Sequence, residues 1–171
     1  MALPSGPGVT VVQKLVDAPQ YAPTAGLIRR LLSTDIGDPR SEAALAIRRV
    51  GVGVVVATLH GWHKVIEGWH HLTAAGEWPL LHDTIHLGFP LPAVFATLAA
   101  LSQFIGGSLL AIGAFTRVAA FLVASTMATA VVFNLQVGGP DAQLAALYAL
   151  VTGTFVVTGG GRWSVDRRLV G

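Results

Sequence analysis

Cysteine is absent from this 171-residue chain. That excludes disulfides, thiolate nucleophiles and Cys-ligated metals or clusters. Any redox chemistry must therefore run through a bound cofactor or a partner. Charge is scarce too: 12% of residues are Asp, Glu, Lys or Arg, about half the share of an ordinary soluble domain. The pI lies near 9.5, yet the formal net charge is only +2. The basic residues are scattered over segment ends with no patch or reading motif, which excludes nucleic-acid binding. A cleavable signal peptide needs a basic start followed by an apolar run; the first such run begins beyond residue 40.

What the chain does have is apolar length. Hydrophobic residues make up 53%, and the mean hydropathy is +0.63. Uncharged stretches cover residues 50–63, 84–116, 118–140 and 142–161. A bilayer core asks for about 20 apolar residues per helical span. The last three stretches suffice unaided, and the first is lengthened by residues 43–47. Threaded up and down, they leave Lys14, Arg29, Arg30, Arg40, Arg48, Arg49, Arg117, Arg162, Arg167 and Arg168 on one face, with Lys64 alone on the other. Basic flanks stay in the cytoplasm. The expectation is a multi-pass protein of a bacterial-type inner membrane, with both termini cytoplasmic.

Residues 1–44 read as a cytoplasmic leader punctuated by Pro4, Pro7, Pro19, Pro23 and Pro39. Its segments 9–16 and 25–32 suit short amphipathic helices on the anionic leaflet, or else a loosely ordered tail. Residues 45–171 read as a four-transmembrane-helix domain. The first span should run from about Ser41 to about Glu67. Its uncharged interior of 14 residues reaches only about 21 Å, so Arg48 and Arg49, or His63 and Lys64, must approach hydrocarbon depth. Such groups usually mark a functional interior. A loop over 68–89 follows, Pro90 and Pro92 open the second span, and the turn at 113–117 forces a hairpin. Small residues at four-residue spacing (Ser102 and Gly106; Ala120, Ala124 and Ala128; Ala145, Ala149 and Gly153) predict close packing within the chain. The fold class is all-α, an integral membrane four-helix bundle behind a short amphipathic leader.

Two groups of residues are candidates for chemistry. All six histidines, His60, His63, His70, His71, His82 and His86, fall between positions 60 and 86. His60 with His63, and His82 with His86, share helical faces, as a metal site of hard N/O ligands or a bis-histidine haem requires. The alternative is ordinary interfacial hydrogen bonding, since no His-Glu-x-x-His signature is present. The second group is a polar seam of Arg49, His60, Lys64, Gln103, Thr126 and Asn134. It could receive a quinone carbonyl, or Gln103 and Asn134 could simply bond helix to helix. Arg117 and the Arg162–Asp166 group are expected to anchor helix ends, with Asp166 paired to Arg162, Arg167 or the leader.

Several local patterns resemble the DoxX family. Arg49-Val-Gly-Val-Gly-Val followed by His60-Gly61-Trp62-His63-Lys64 is similar to its first helix, an Arg near the start and an hGxxK element at the end. Residues 87–92, Leu-Gly-Phe-Pro-Leu-Pro, resemble the start of its second helix. Gly106-Gly107 with Ile112-Gly113-Ala114-Phe115-Thr116-Arg117 resembles its GG…lGlftR hairpin, and Gly159-Gly160-Gly161-Arg162-Trp163-Ser164-Val165-Asp166 resembles GxGrySlD. Together they cover residues 48–168. The resemblance implies a four-helix, redox-associated inner-membrane protein, a membrane subunit of a quinone-linked oxidoreductase or a partner of oxidant-detoxifying proteins. In it Gly61, Gly106, Gly107, Arg117, Arg162 and Asp166 are structural. Two positions depart from the family pattern: Gln103 stands where Glu is frequent, and Leu147 opens Leu-Tyr-Ala-Leu where EYAL is frequent. Both changes remove the carboxylates an intramembrane proton relay would use. The expected function is a non-catalytic or partner-dependent subunit linking a redox system to quinone. A purely assembling subunit, or a metal or haem protein built on His60, His63, His82 and His86, are the alternatives. A transporter is the least favoured class, because four helices without an obvious broken pair leave little room for alternating access.

Overall fold

The computed structural model describes residues 38–170. The predicted leader helices at 9–16 and 25–32 lie outside the described residues. Pro39 opens helix α1 (Pro39–Ala74), where a missing N–H costs nothing. Ser41 Oγ donates to Asp38 O at 2.8 Å. Expected to end near Glu67, α1 instead continues to Ala74, because residues 68–74 contain neither proline nor a left-handed position. It stops at Ala75, whose φ is 50°, and the His71 ring Nδ1 lies 2.7 Å from Gly76 O across that end.

The segment expected as a loop contains helix α2 (Pro79–His86). It is tied down by Trp78, only 5% exposed, which packs against Gly68. Thr84 Oγ1 donates to Leu81 O at 2.8 Å and reaches Pro92 O at 3.2 Å. Helices α3 (Pro92–Ile112), α4 (Thr116–Val137), α5 (Ala142–Thr158) and α6 (Val165–Val170) follow. No strand occurs among the described residues.

α3 and α4 form the expected hairpin around Gly113, and α5 packs along the length of α4. α1 and α3 each contain a π-helical segment, Val56–Gly61 and Ser102–Gly106, and these two lie against one another. The helices meet almost backbone to backbone. A Cβ at Gly107 would stand 2.8 Å from Ala57 N, and one at Gly61 would stand 2.5 Å from Phe104 Cα. Glycine is the residue that allows this approach. π-helical turns inside membrane helices reorient side chains and cluster at functional sites; here they carry His60 and Gln103.

The small-residue stripes divide in two. Ala120 and Ala145 are buried, and a Cβ at Gly106 would touch Val123 at 3.1 Å. Gly153 meets nothing within 4 Å, and Ala128 is exposed, so these two face outward. Buried clusters centred on Leu110 with Phe155, on Val56 with Val123, and on Trp78 with Ala96 hold the bundle together.

Most of the apolar surface nonetheless points out. In α1, α3 and α4 the most apolar windows are only 28%, 33% and 22% buried. Leu59, Leu135 and Val157 are among many large side chains left exposed. Water would not tolerate such a surface on a monomer; lipid does. α1, α3 and α4 are long and apolar enough to cross a membrane. α5, with 17 residues, sits at the short end of the spanning range of roughly 17–25. The protein is an all-α membrane bundle.

Candidate functional site

The polar side chains expected to form one seam separate into two centres. The first lies at the α3–α4 hairpin and is built around Arg49, which is 2% exposed. Its Nη1 donates to Leu110 O and Ala111 O, both at 2.9 Å, and Nη2 donates to Trp163 O at 3.1 Å. The guanidinium thus serves the last carbonyls of α3, where helical partners run out; Leu110 O also accepts from Gly113 N at 3.1 Å. Gly113, with φ of 75°, closes the turn directly over it. A side chain there would meet Arg49 Cζ at 2.6 Å and Ser164 Cβ at 2.7 Å.

Across the same turn Asp166 caps the opposite helix end. Its carboxylate accepts from Phe115 N at 2.6 Å and Thr116 N at 2.8 Å, and its own N–H donates to Gly113 O at 2.9 Å. A carboxylate on the free N–H groups of a helix start gains from both hydrogen bonding and the helix dipole. Burial pushes the Asp166 carboxyl up, but hydrogen bonds from Thr116 and Phe115, together with the Arg49 charge, bring it net below its ordinary value. The expected pairing with Arg162 or Arg167 is therefore corrected: Asp166 serves backbone donors. Arg162 takes part through its N–H, which donates to Glu42 Oε2 at 2.9 Å. Arg117 reaches Val157 O at 3.3 Å and caps the end of α5. Arg48 lies over the Phe155 ring at 5.0 Å.

This first centre is consumed by helix ends. Arg49 does not line the cavity described next, so the structure removes it from the seam.

The second centre is a cavity of about 640 Å³ between α1, α2, α3, α4 and α5, within the usual size range of small-molecule sites. His60, Lys64, Gln103 and Asn134 all line it, with Thr126 beside them. Most of its wall is apolar, supplied by residues such as Leu98, Leu122, Phe133 and Leu144. His60 stands edge-on to Tyr148 with centroids 5.2 Å apart, and His86 stands edge-on to Phe133 at 5.8 Å.

Gln103 is the outlying feature of this wall. It is 1% exposed, and neither Nε2 nor Oε1 has a hydrogen-bond partner. The expected helix-to-helix bonding by Gln103 and Asn134 does not form. Asn134 Nδ2 donates to Ala130 O of its own helix at 2.9 Å. The interhelical bond is made instead by Ser102 Oγ and Thr126 Oγ1, 2.6 Å apart.

Asp83, Asp141, Tyr148 and Ser102 are cavity residues that sequence reasoning passed over. A signal existed for the first: Leu80, Asp83, Thr84 and Leu87 all line the cavity at the i, i+3, i+4, i+7 spacing of one helical face. Burial pushes the Asp83 carboxyl above its ordinary range, opposed by the charges of Lys64, His82 and His86.

The histidines do not gather. His63 is exposed and pairs with Glu67 at 3.9 Å. Of the four named as ligands, His60 alone lines the cavity. Among the described residues no group of three or more His, Asp or Glu side chains is placed to hold a metal ion.

Comparison with known proteins agrees with the geometry at the level of family. Curated proteins and solved structures return no match. The DoxX family model matches residues 44–136, which takes in both π-helical segments, the Gly113 hairpin and all of the cavity wall except its α5 side and Asp141. With its apolar helical bundle and that match over more than half of its length, the chain belongs to the DoxX family.

Proposed function

We propose that this protein is an inner-membrane subunit that binds a quinone between its helices and so links a redox partner to the quinone pool. The observation that carries the reading is the cavity at Gln103: an apolar chamber inside a lipid-embedded bundle, with one buried amide lacking any partner. An unmade hydrogen bond at a buried amide costs about 1–3 kcal/mol, a cost that a carbonyl-bearing ligand would offset. Lys64 and His60 stand on the same wall as further donors. A bound quinone would supply two-electron, two-proton carriage, which a chain without cysteine has no side chain to provide. The protein's part is to hold the ring, present donors to its oxygens and keep lipid and water from them. Leu98, Leu122 and Phe133 offer contact for an apolar tail. The arginines of the Gly113 end favour a cytoplasmic placement of that end, with Lys64 and α2 toward the other side.

Titration of the detergent-purified protein with a short-chain quinone, followed by fluorescence quenching, tests this. Saturable binding, weakened about tenfold or more by Lys64→Ala, supports the reading. A chain that co-purifies with a membrane complex but shows no saturable quinone binding is an assembly subunit instead.

A further inference from the structure

Gln103 carries information about the oxidation state of the ligand. A primary amide is two-sided: Nε2 only donates and Oε1 only accepts. Both atoms are buried and unpartnered. The wall around it is mixed in the same way. Lys64 contributes donors, while Asp83 and Asp141 contribute carboxylate oxygens, and Tyr148 and His60 can act in either sense. A ligand with carbonyl acceptors alone would use the donors of this lining and leave its acceptors unmatched.

A quinone ring offers acceptors and no donor. Seated against Gln103 it could accept from Nε2, but Oε1 would remain without a hydrogen. A hydroquinone offers O–H groups as well as oxygen lone pairs. It can give a hydrogen to Oε1, or to Asp83, and still accept from Nε2 or Lys64.

We propose that the cavity is selective for the hydroquinone form of its ligand, and that Gln103 is the residue that discriminates. The proposal rests on the quinone reading above and adds to it a preferred oxidation state. Gln103 touches the ligand as a binding residue and carries out no chemical step. One additional hydrogen bond in a dry site corresponds to a preference of about tenfold. For a two-electron couple that raises the midpoint potential of the bound ligand by about 30 mV.

The test uses the full chain in detergent or nanodiscs under anaerobic conditions, with a short-chain benzoquinone and its borohydride-reduced hydroquinone as probes. The wild type should bind the hydroquinone about tenfold more tightly. Gln103→Leu should weaken both forms, which share the Nε2 bond, but weaken the hydroquinone about tenfold more, so that the preference disappears. Should Gln103→Leu fail to fold, Gln103→Met gives the same reading, and a redox titration of ligand bound to the wild type reads the potential shift without any variant. Equal affinities for the two forms, or a preference that survives both substitutions, overturn the selectivity while leaving quinone binding intact. Absence of binding by either form overturns both.

Discussion

Replacing Arg49 by methionine should cost the bundle about 3–5 kcal/mol, the net of lost hydrogen bonds and recovered desolvation. The figure follows from opposing contributions. Three hydrogen bonds from the guanidinium disappear, to Leu110 O, Ala111 O and Trp163 O. Bonds to charged groups contribute about 1.5–3 kcal/mol each, so the gross loss is roughly 5–9 kcal/mol. Against that, a buried guanidinium with its Nε unpartnered no longer has to be held out of water, which returns several kcal/mol. What remains unrepaired is the end of α3, whose carbonyls then face an apolar side chain. Arg49→Lys keeps the charge, but a single ammonium cannot span the α3 end and Trp163 together. It should fall between the two. Equilibrium unfolding in mixed micelles of rising SDS fraction gives the free energies, and a thermal melt should drop on the order of 10 °C for Arg49→Met. A loss under about 1 kcal/mol, the size of an exposed substitution, would refute the role assigned to this residue.

Other outcomes follow from the same geometry. Gly61→Ala places a methyl group 2.5 Å from Phe104 Cα and should destabilise by about 2 kcal/mol or more, whereas Gly51→Ala, with nothing within 4 Å, should be neutral or stabilising by up to about 1 kcal/mol in the same unfolding assay. Asp166 titrates below its ordinary value, so its cap is fully formed above about pH 4 and fades as pH falls through the folded value. Asp166→Asn keeps one acceptor oxygen and loses the charge, so it should lower stability by about 1 kcal/mol at neutral pH and flatten the acid limb of a stability–pH curve. Asp83 has the opposite sign, being raised by burial: it weakens the fold as pH rises from the ordinary carboxylate range through its folded value. Asp83→Asn should remove that decline and leave melts at pH 4 nearly unchanged.

The presence of three long apolar helices, the hairpin at Gly113 and the all-α class were legible in the sequence because lipid imposes length and polarity rules on continuous stretches of chain. The pairing of Arg49 with a distant helix end was not. Arg49 and Leu110 are brought together by the fold alone, and a lone arginine near hydrocarbon depth gives no sign of which carbonyls it will reach. Asp166 was misassigned for a related reason. Charge counting favours Arg162 and Arg167, its near neighbours, but backbone N–H groups left free at Phe115 and Thr116 compete better than exposed ion pairs. The seam was only partly readable. His60, Lys64, Gln103 and Asn134 do line one cavity, yet two π-helical turns that no periodicity argument anticipates shift the faces of α1 and α3. The helix at Pro79–His86 within the loop expected at 68–89 is too short for a strong periodic signal, although Pro79 suits a helix start.

The central claim is that a quinone occupies the chamber beside Gln103. Photolabelling of native membranes with an azidoquinone, followed by peptide mapping, addresses it directly. Adducts should concentrate in segments 60–64, 98–103 and 122–134, and excess unlabelled quinone should suppress them. Labelling spread over the outward-facing residues of α4 and α5, unaffected by competitor, would contradict the account.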